Sequence, residues 1–234
     1  MKTVTEWSLA FDLLWNNIYS DKAPGLNEYE KSVFLTRAEE SVCVAAYKGA
    51  LGEPFESSEE ITAYLGTLVK QASCERATST EEAEVYKISS NSVLYKNPAD
   101  MLFRTWEGCN ITVSGCGEKQ VRVIPITQDE YWRAEKNPFR GPNASKVLRL
   151  SYIKDDTTGN SYSNTVYSEL ISKYPITEYD VRYLKKPEPI ILQDLSGGLS
   201  IDGYTTVATC KLPEALHQTI LAEAVKMAKV TWNM

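Results

Sequence analysis

An α+β fold is predicted by three observations: a helical bundle formed by N-terminal helices and a C-terminal helix, with a β-rich insertion between them. Apolar residues recur at helical spacing through the first third of the 234-residue chain and again from residue 213 onward. Between these stretches the helical period gives way to β-branched and aromatic runs broken by Asn-Pro and Gly. The resulting order (helices, strands, one short helix, strands, helix) lacks the regular β-α-β alternation of a parallel sheet. The expected segments are therefore 1–77 (helical), 78–212 (β-rich with one short helix) and 213–234 (a helix packing back on the bundle).

Each element has its own local justification. Trp7, Phe11, Leu14 and Ile18 lie on one face of a helix over residues 3–20, with Thr3 or Thr5 as its cap. Pro24 and Gly25 break it, and Asn27 caps a second helix that stops at Gly49 and buries Val33 or Phe34, Ala38, Val42 and Ala45. Ser57 or Ser58 opens a third, "SEEITAYLGTLVKQA", lined by Ile61, Tyr64, Leu65 and Leu68, with glutamates at the positive end of its dipole. Strands follow in "VLYKNPADMLFRTWEGCNITV" and "KQVRVIPIT". Thr127 and Glu130 have capping-box spacing, so "QDEYWRAEK" is a short helix ended by Asn137-Pro138. "KVLRLSYI", "TVYSELISKY", "EYDVRYLKK" and "PIILQDL" read as further strands, with "KDDTTGNS" as a hairpin tip. Pro213 starts the last helix, whose inner face carries Leu216, Ile220, Ala224, Met227 and Thr231.

Composition narrows the function. At 43% hydrophobic and 24% charged the chain can build a substantial core, and its net charge of −6 repels nucleic acid except at a local patch. Glu6 and Asp12 interrupt any apolar N-terminal run, so a secretory leader is not expected, and no stretch reaches the roughly 18 to 20 apolar residues of a membrane span. The five cysteines form no C-x-x-C pair and are expected as reduced thiols; Cys109 and Cys116 fall where a hairpin could bring them together. With His217 as the one histidine, expected at the surface or an interface, Ser-His-Asp, Cys-His and His-rich metal sites have no material, and no cofactor or metal is expected. Asp155 and Asp156 read as turn residues, and "LSGGLSIDG" lacks either phosphate-binding glycine pattern.

The loop "NPFRGPN" could cradle a phosphate, contact nucleic acid or dock a protein. Arg140 is its one cation, and Pro138 and Pro142 remove backbone donors a phosphate nest would use while stiffening the loop. A stiff loop presenting Phe139 and Arg140 suits docking, while a Phe139 that plugs its own core is the competing reading. Charge adds a second clue. Residues 53–85 hold eight acids against two bases, whereas residues 119–149 hold seven bases against three acids. Opposite patches of this kind are electrostatically complementary and could meet between two molecules. The expected interface residues are Phe139, Arg140, Arg133 and Lys136 on the basic side and Glu59, Glu60 and Glu81 on the acidic side; no catalytic residue is expected.

"FDLLWNNIYSDKAPGLNEYEKSVFLTRAEE", "ITQDEYWRAEKNPFRGPN", "DVRYLKKPEPIILQDLSG" and "LPEALHQTILAEAVKMA" together span nearly the whole chain. In combination they resemble the ring, or head-to-tail connector, proteins of crAss-like bacteriophages infecting gut Bacteroidales. The resemblance implies a virion adaptor made in the host cytoplasm. It also implies a homo-oligomeric ring of twelve copies that contacts the portal or other connector and tail ring proteins. Double-stranded DNA would pass through the channel without specific binding, and no membrane is involved. The family brings no catalytic motif. A metal-dependent phage enzyme, and a scaffold or cargo protein without ring symmetry, are the alternatives that the residues leave open.

Overall fold

In the computed structural model, which describes residues 1–16, 25–50, 54–84, 87–137, 139–155 and 164–232, helices and strands combine in an α+β fold. Met1–Leu68 and Lys186–Met234 make up one unit, and Val69–Lys185 the other.

The first unit is helical. In α1 (Val4–Asn16) the Thr3 hydroxyl accepts from the Glu6 N–H at 3.2 Å, and Trp7, Phe11 and Trp15 are buried. Trp15 takes the place expected of Leu14, and Ile18, like Pro24, lies outside the described residues. Asn27 and Glu30 form a full capping box on α2 (Glu28–Tyr47), and Gly49, at φ 81°, ends it with the Ala50 N–H bonded to the Ala45 carbonyl at 2.8 Å. The buried face of α2 is rotated from the expected one: Leu35, Ala38, Val42, Cys43 and Ala46 are inside with Ser32 and Thr36, while Val33, Phe34 and Ala45 are half-buried.

The two hydroxyls explain that rotation. Ile190 N–H donates to Thr36 Oγ1 at 3.1 Å and Leu192 N–H to Ser32 Oγ at 2.9 Å. "PIILQDL" was expected to be a strand of the β-rich segment. It is instead an extended segment of the helical unit, with one bridge from Ile191 to Ala208, because α2 hydroxyls satisfy its backbone and Ile190 and Ile191 are fully buried.

Ser58 caps α3 (Glu59–Leu65), which gives way at Gly66 to a short 3₁₀ turn. The helical spacing was expected to continue through Ala72, yet "VKQAS" is a strand, because pairing with a neighbour outweighs its local preference. The last helix of this unit runs over Glu214–Trp232; α2 packs along it and α1 against both. Leu216, Ile220 and Ala224 are buried there as expected, joined by Leu221, Val225 and Ala228, while Met227 is half-buried and Thr231 exposed. His217 is also buried rather than on the surface. Its Nε2 lies 3.0 Å from the Leu212 carbonyl, its Nδ1 3.0 Å from the N-terminal nitrogen, and its ring packs on Trp7; burial pushes its pKa below the usual imidazole value.

The second unit is one eight-stranded, near-closed sheet. Its strands are β1 (Val69–Ser73), β2 (Glu75–Arg76), β3 (Ser92–Lys96), β4 (Met101–Val113), β5 (Gly117–Pro125), β6 (Lys146–Asp155), β7 (Asn164–Ile171) and β8 (Ile176–Lys185). The spatial order is β1-β8-β4-β5-β6-β7-β3-β2. Its two edges, β1 and β2, are separated in sequence by Cys74 alone, whose N–H donates to the Tyr179 carbonyl at 2.8 Å, so the chain itself ties one edge to the other. Inside lie Cys109, Ile111, Val121, Val123, Val147, Leu170, Tyr179 and Val181. The alternation of β6 turns Leu148 and Leu150 outward, where Tyr131 and Ala134 cover them.

Two further helices belong to this unit, α4 (Ser79–Glu84) and α5 (Gln128–Glu135); the C-terminal helix is accordingly α6. Thr127 and Glu130 form the expected capping box of α5. Because β5 and β6 pair in parallel, α5 and the "NPFRGPN" loop form their crossover connection. The β4–β5 hairpin does not join its cysteines: Cys109 is in the core opposite Val121 and Cys116 is exposed near the tip, both as free thiols. "KDDTTGNS" falls mostly outside the described residues.

Candidate interface

Asn137 organises the loop after α5. Its carbonyl accepts from Arg140 N–H at 3.1 Å and Gly141 N–H at 2.9 Å, and its side-chain oxygen accepts from Phe139 N–H at 2.9 Å. Lys146 on β6 donates its ammonium to the Phe139 carbonyl at 2.7 Å. Asn143 completes the return, its side chain accepting from Ser145 N–H at 2.9 Å. Pro138 lies outside the described residues. The loop is thus tied to the unit at both ends, yet Phe139 is 87% exposed, which removes the reading in which it plugs its own core.

Arg133, Lys136 and Arg140 are all exposed and lie within one short stretch, from the last turn of α5 into the loop. Of the other bases in that segment, Arg149 is half-buried and holds Glu107 at 2.8 Å, while Lys146 is engaged with the loop. The acidic residues are less uniform. Glu59 and Glu60 are exposed in the first turn of α3, in the helical unit, and Glu60 accepts from the Tyr64 hydroxyl. Glu81 belongs to the sheet unit and is already bonded: Thr78 N–H reaches it at 2.8 Å and Tyr167 OH at 3.3 Å, and the Thr78 bonds hold its pKa below the usual carboxylate value. A signal for this was in the sequence, since Thr78 and Glu81 have the same T-x-x-E spacing as Thr127 and Glu130.

Three features were not foreseen. A groove of about 690 Å³ runs beside the neck of the loop, between Asn137, Gly141 and Pro142 on one side and the turn from β7 to β8 on the other. Beneath this region Glu169 is fully buried and accepts from Ile88 N–H at 3.1 Å, Ser89 N–H at 3.2 Å, Tyr152 OH at 2.7 Å and the Ser92 hydroxyl. In the helical unit, buried Lys31 joins Asp12 at 2.7 Å and Glu28 at 2.9 Å, tying α1 to α2. Apart from Glu28 and Lys31, which are three apart on α2, the residues of each set come from distant parts of the sequence, so no spacing rule announces them.

Among the described residues, no group of three or more His, Cys, Asp or Glu side chains is placed to hold a metal ion. Among the same residues no helix is long and apolar enough to cross a membrane.

The sequence matches the family model described as Phage tail ring protein 3/4 over residues 1–234. It is 39% identical to Ring protein 3 of Bacteroides phage crAss001 over 235 residues, covering 98% of this chain and 96% of that protein. To Ring protein 4/5 of the same phage it is 34% identical over 238 residues, covering 98% and 93%. A match along the whole length, with relatives above 30% identity, places the chain: it belongs to the phage tail ring protein 3/4 family of crAss-like phages.

Proposed function

We propose that the chain is a structural, non-catalytic subunit of a closed ring in the connector between portal and tail of a podovirus-like phage. Helices α1, α2 and α6 form its bundle, with the sheet unit as an insertion. Twelve copies surround the DNA channel, and the ring contacts the portal or neighbouring connector and tail rings. The observation that carries this reading is the full-length match to proteins named as rings. A hydrogen-bonded loop presenting a bare aromatic ring supports it, because Phe is among the residues enriched at protein interfaces. Arg133, Lys136 and Arg140 on one copy face Glu59, Glu60 and Glu81 on the next, as heterologous closure requires of two unlike surfaces.

DNA has to slide through such a channel. Each phosphate neutralised by Lys or Arg adds affinity through counterion release, so the lumen is acidic or neutral, in keeping with the net charge of −6. Native mass spectrometry of the protein released from virions tests the ring: a single closed multiple of the subunit is expected, and a ladder of open sizes contradicts it. Duplex DNA added to that ring at physiological salt is expected not to be retained. Tight retention contradicts the proposed lumen.

A further inference from the structure

We propose that the slit where β4 and β5 part is the docking site for an extended acidic segment of another protein. The inference goes beyond the ring reading and uses none of the residues assigned to the contact between copies. β4 pairs with β8 from Met101 to Ile111 but with β5 only from Gly108 to Val113, while β5 continues along β6 from Arg122 to Pro125. Among the described residues, 101–107 and 123–125 therefore have no strand on the side that faces the slit. Such open edges are what an extended peptide joins. The cavity between them has a volume of about 500 Å³.

Charge selects the occupant. Arg104, Arg122 and Arg149 line the slit against one carboxylate, that of Glu107. A register shift between Arg104 and Trp106 breaks the alternation of β4, so that Arg104 turns to the same inner side as Glu107. There Arg104 Nη2 donates to Ser168 Oγ at 3.0 Å, and Glu107 holds Arg149 at 2.8 Å and accepts from Tyr179 OH at 2.7 Å. The side chains of Arg104, Glu107 and Arg149 are 12%, 11% and 12% exposed, so the cationic excess acts where water screens it little. A carboxylate entering the slit gains charge-assisted hydrogen bonds from it.

Trp106 shapes the outer side. Its indole lies over Gly108, where a Cβ would come within 2.4 Å of the ring, and it is 42% exposed beside Arg122 at the mouth of the slit. Successive side chains of an extended segment point to opposite sides, so one set reaches Arg104 and Arg149 and the other packs on Trp106 next to Arg122. A second copy is not the source of such a segment, because its acidic stretches are helical: Glu59 and Glu60 stand on α3, Glu81 and Glu82 on α4. The net charge of −6 disfavours nucleic acid.

The test is hydrogen-exchange mass spectrometry of the full chain with a blocked peptide of alternating Glu and Thr. The peptide is expected to slow exchange across 104–107, and unchanged exchange there overturns the proposal. The same peptide with a methylated backbone keeps its charge but loses its donors, and is expected to protect nothing; equal protection would make the slit a charge site and overturn the strand. Equal protection by a peptide of alternating Lys and Thr overturns the selection by charge. Duplex DNA that slows the same amides and displaces the peptide contradicts the proposal and assigns the slit to nucleic acid. Arg122→Glu, at an exposed position, is expected to weaken peptide binding about tenfold with the melting temperature unchanged, and unaltered affinity overturns the role of Arg122 in the site. None of these outcomes depends on ring closure, so failure here leaves the ring reading intact.

Discussion

The helical unit and the sheet unit each bury a glutamate, and they treat it in opposite ways. Glu169 in the sheet unit is surrounded by donors: two backbone N–H groups, a serine and a tyrosine. Glu39 on α2 is 1% exposed, with the Cys210 thiol 3.0 Å from one oxygen and no hydrogen-bond partner for the other. Burial, opposed in part by the Cys210 contact and reinforced by Glu188, raises the Glu39 carboxyl from 4.5 to about 7. Equal burial thus has unequal consequences. Where the fold supplies donors the acid is a pin, holding the 88–92 segment to β7; where it does not, the acid makes the unit sensitive to pH.

The largest expected effect removes the pin. Glu169→Ala strands the backbone donors of Ile88 and Ser89, removes one acceptor of the Ser92 and Tyr152 hydroxyls, and is expected to cost about 3 to 5 kcal/mol in denaturant unfolding of the sheet unit. A loss below about 1 kcal/mol would erase the contrast with Glu39.

The next prediction concerns Glu39 itself. Its folded pKa lies above the unfolded one, so the contribution of Glu39 to stability is fully present below about pH 4.5 and is lost as pH rises through about 7. A shift of that size corresponds to about 3 kcal/mol. Glu39→Gln is expected to flatten this part of the stability profile and to stabilise the protein at pH 8. An unchanged slope between pH 4.5 and 7 assigns the titration to other groups.

A third prediction separates assembly from folding. Phe139→Ala is expected to leave subunit stability within about 0.5 kcal/mol, as for an exposed side chain, while weakening association by about 2 kcal/mol. A folding defect without an assembly defect would contradict the placement of Phe139 at the interface.

Charge reversal is expected to be the mildest perturbation per residue. Arg133, Lys136 and Arg140 are exposed, so each pair they form contributes about 0 to 1 kcal/mol. Changing all three to Glu should nevertheless impair ring formation, most visibly at low salt, without unfolding the subunit. Reversing Glu59, Glu60 and Glu81 to Lys in the same chain should restore it partly, with less from Glu81 because it is committed to Thr78 and Tyr167. Unchanged assembly of the first variant at low salt assigns the basic residues to solvent.

How much of this was legible in the sequence depended on the range of the interactions. The caps at Asn27, Ser58 and Thr127 could be read because each is local chemistry across three or four residues. The strands from β3 to β8 were also legible, through their alternation and turn residues. Long-range pairing was not. Ser32 and Thr36 look like surface positions of α2 until the 190–192 backbone is laid on them, and "VKQAS" looks helical until β8 is beside it. His217 was expected outside because nothing nearby in sequence signals Trp7 or the N-terminus. At the candidate interface the loop was visible from its prolines and composition but the exposure of Phe139 was not, and the groove draws on β3, α5 and the β7–β8 turn and has no contiguous motif.

Cryo-electron microscopy of the virion, viewed down the tail axis, tests the central claim most directly. The expected result is a closed ring in the connector whose repeating density fits this chain, with Phe139 at a contact between copies and DNA passing through the centre. Density for the chain away from the axis, or as isolated copies without rotational symmetry, would contradict it.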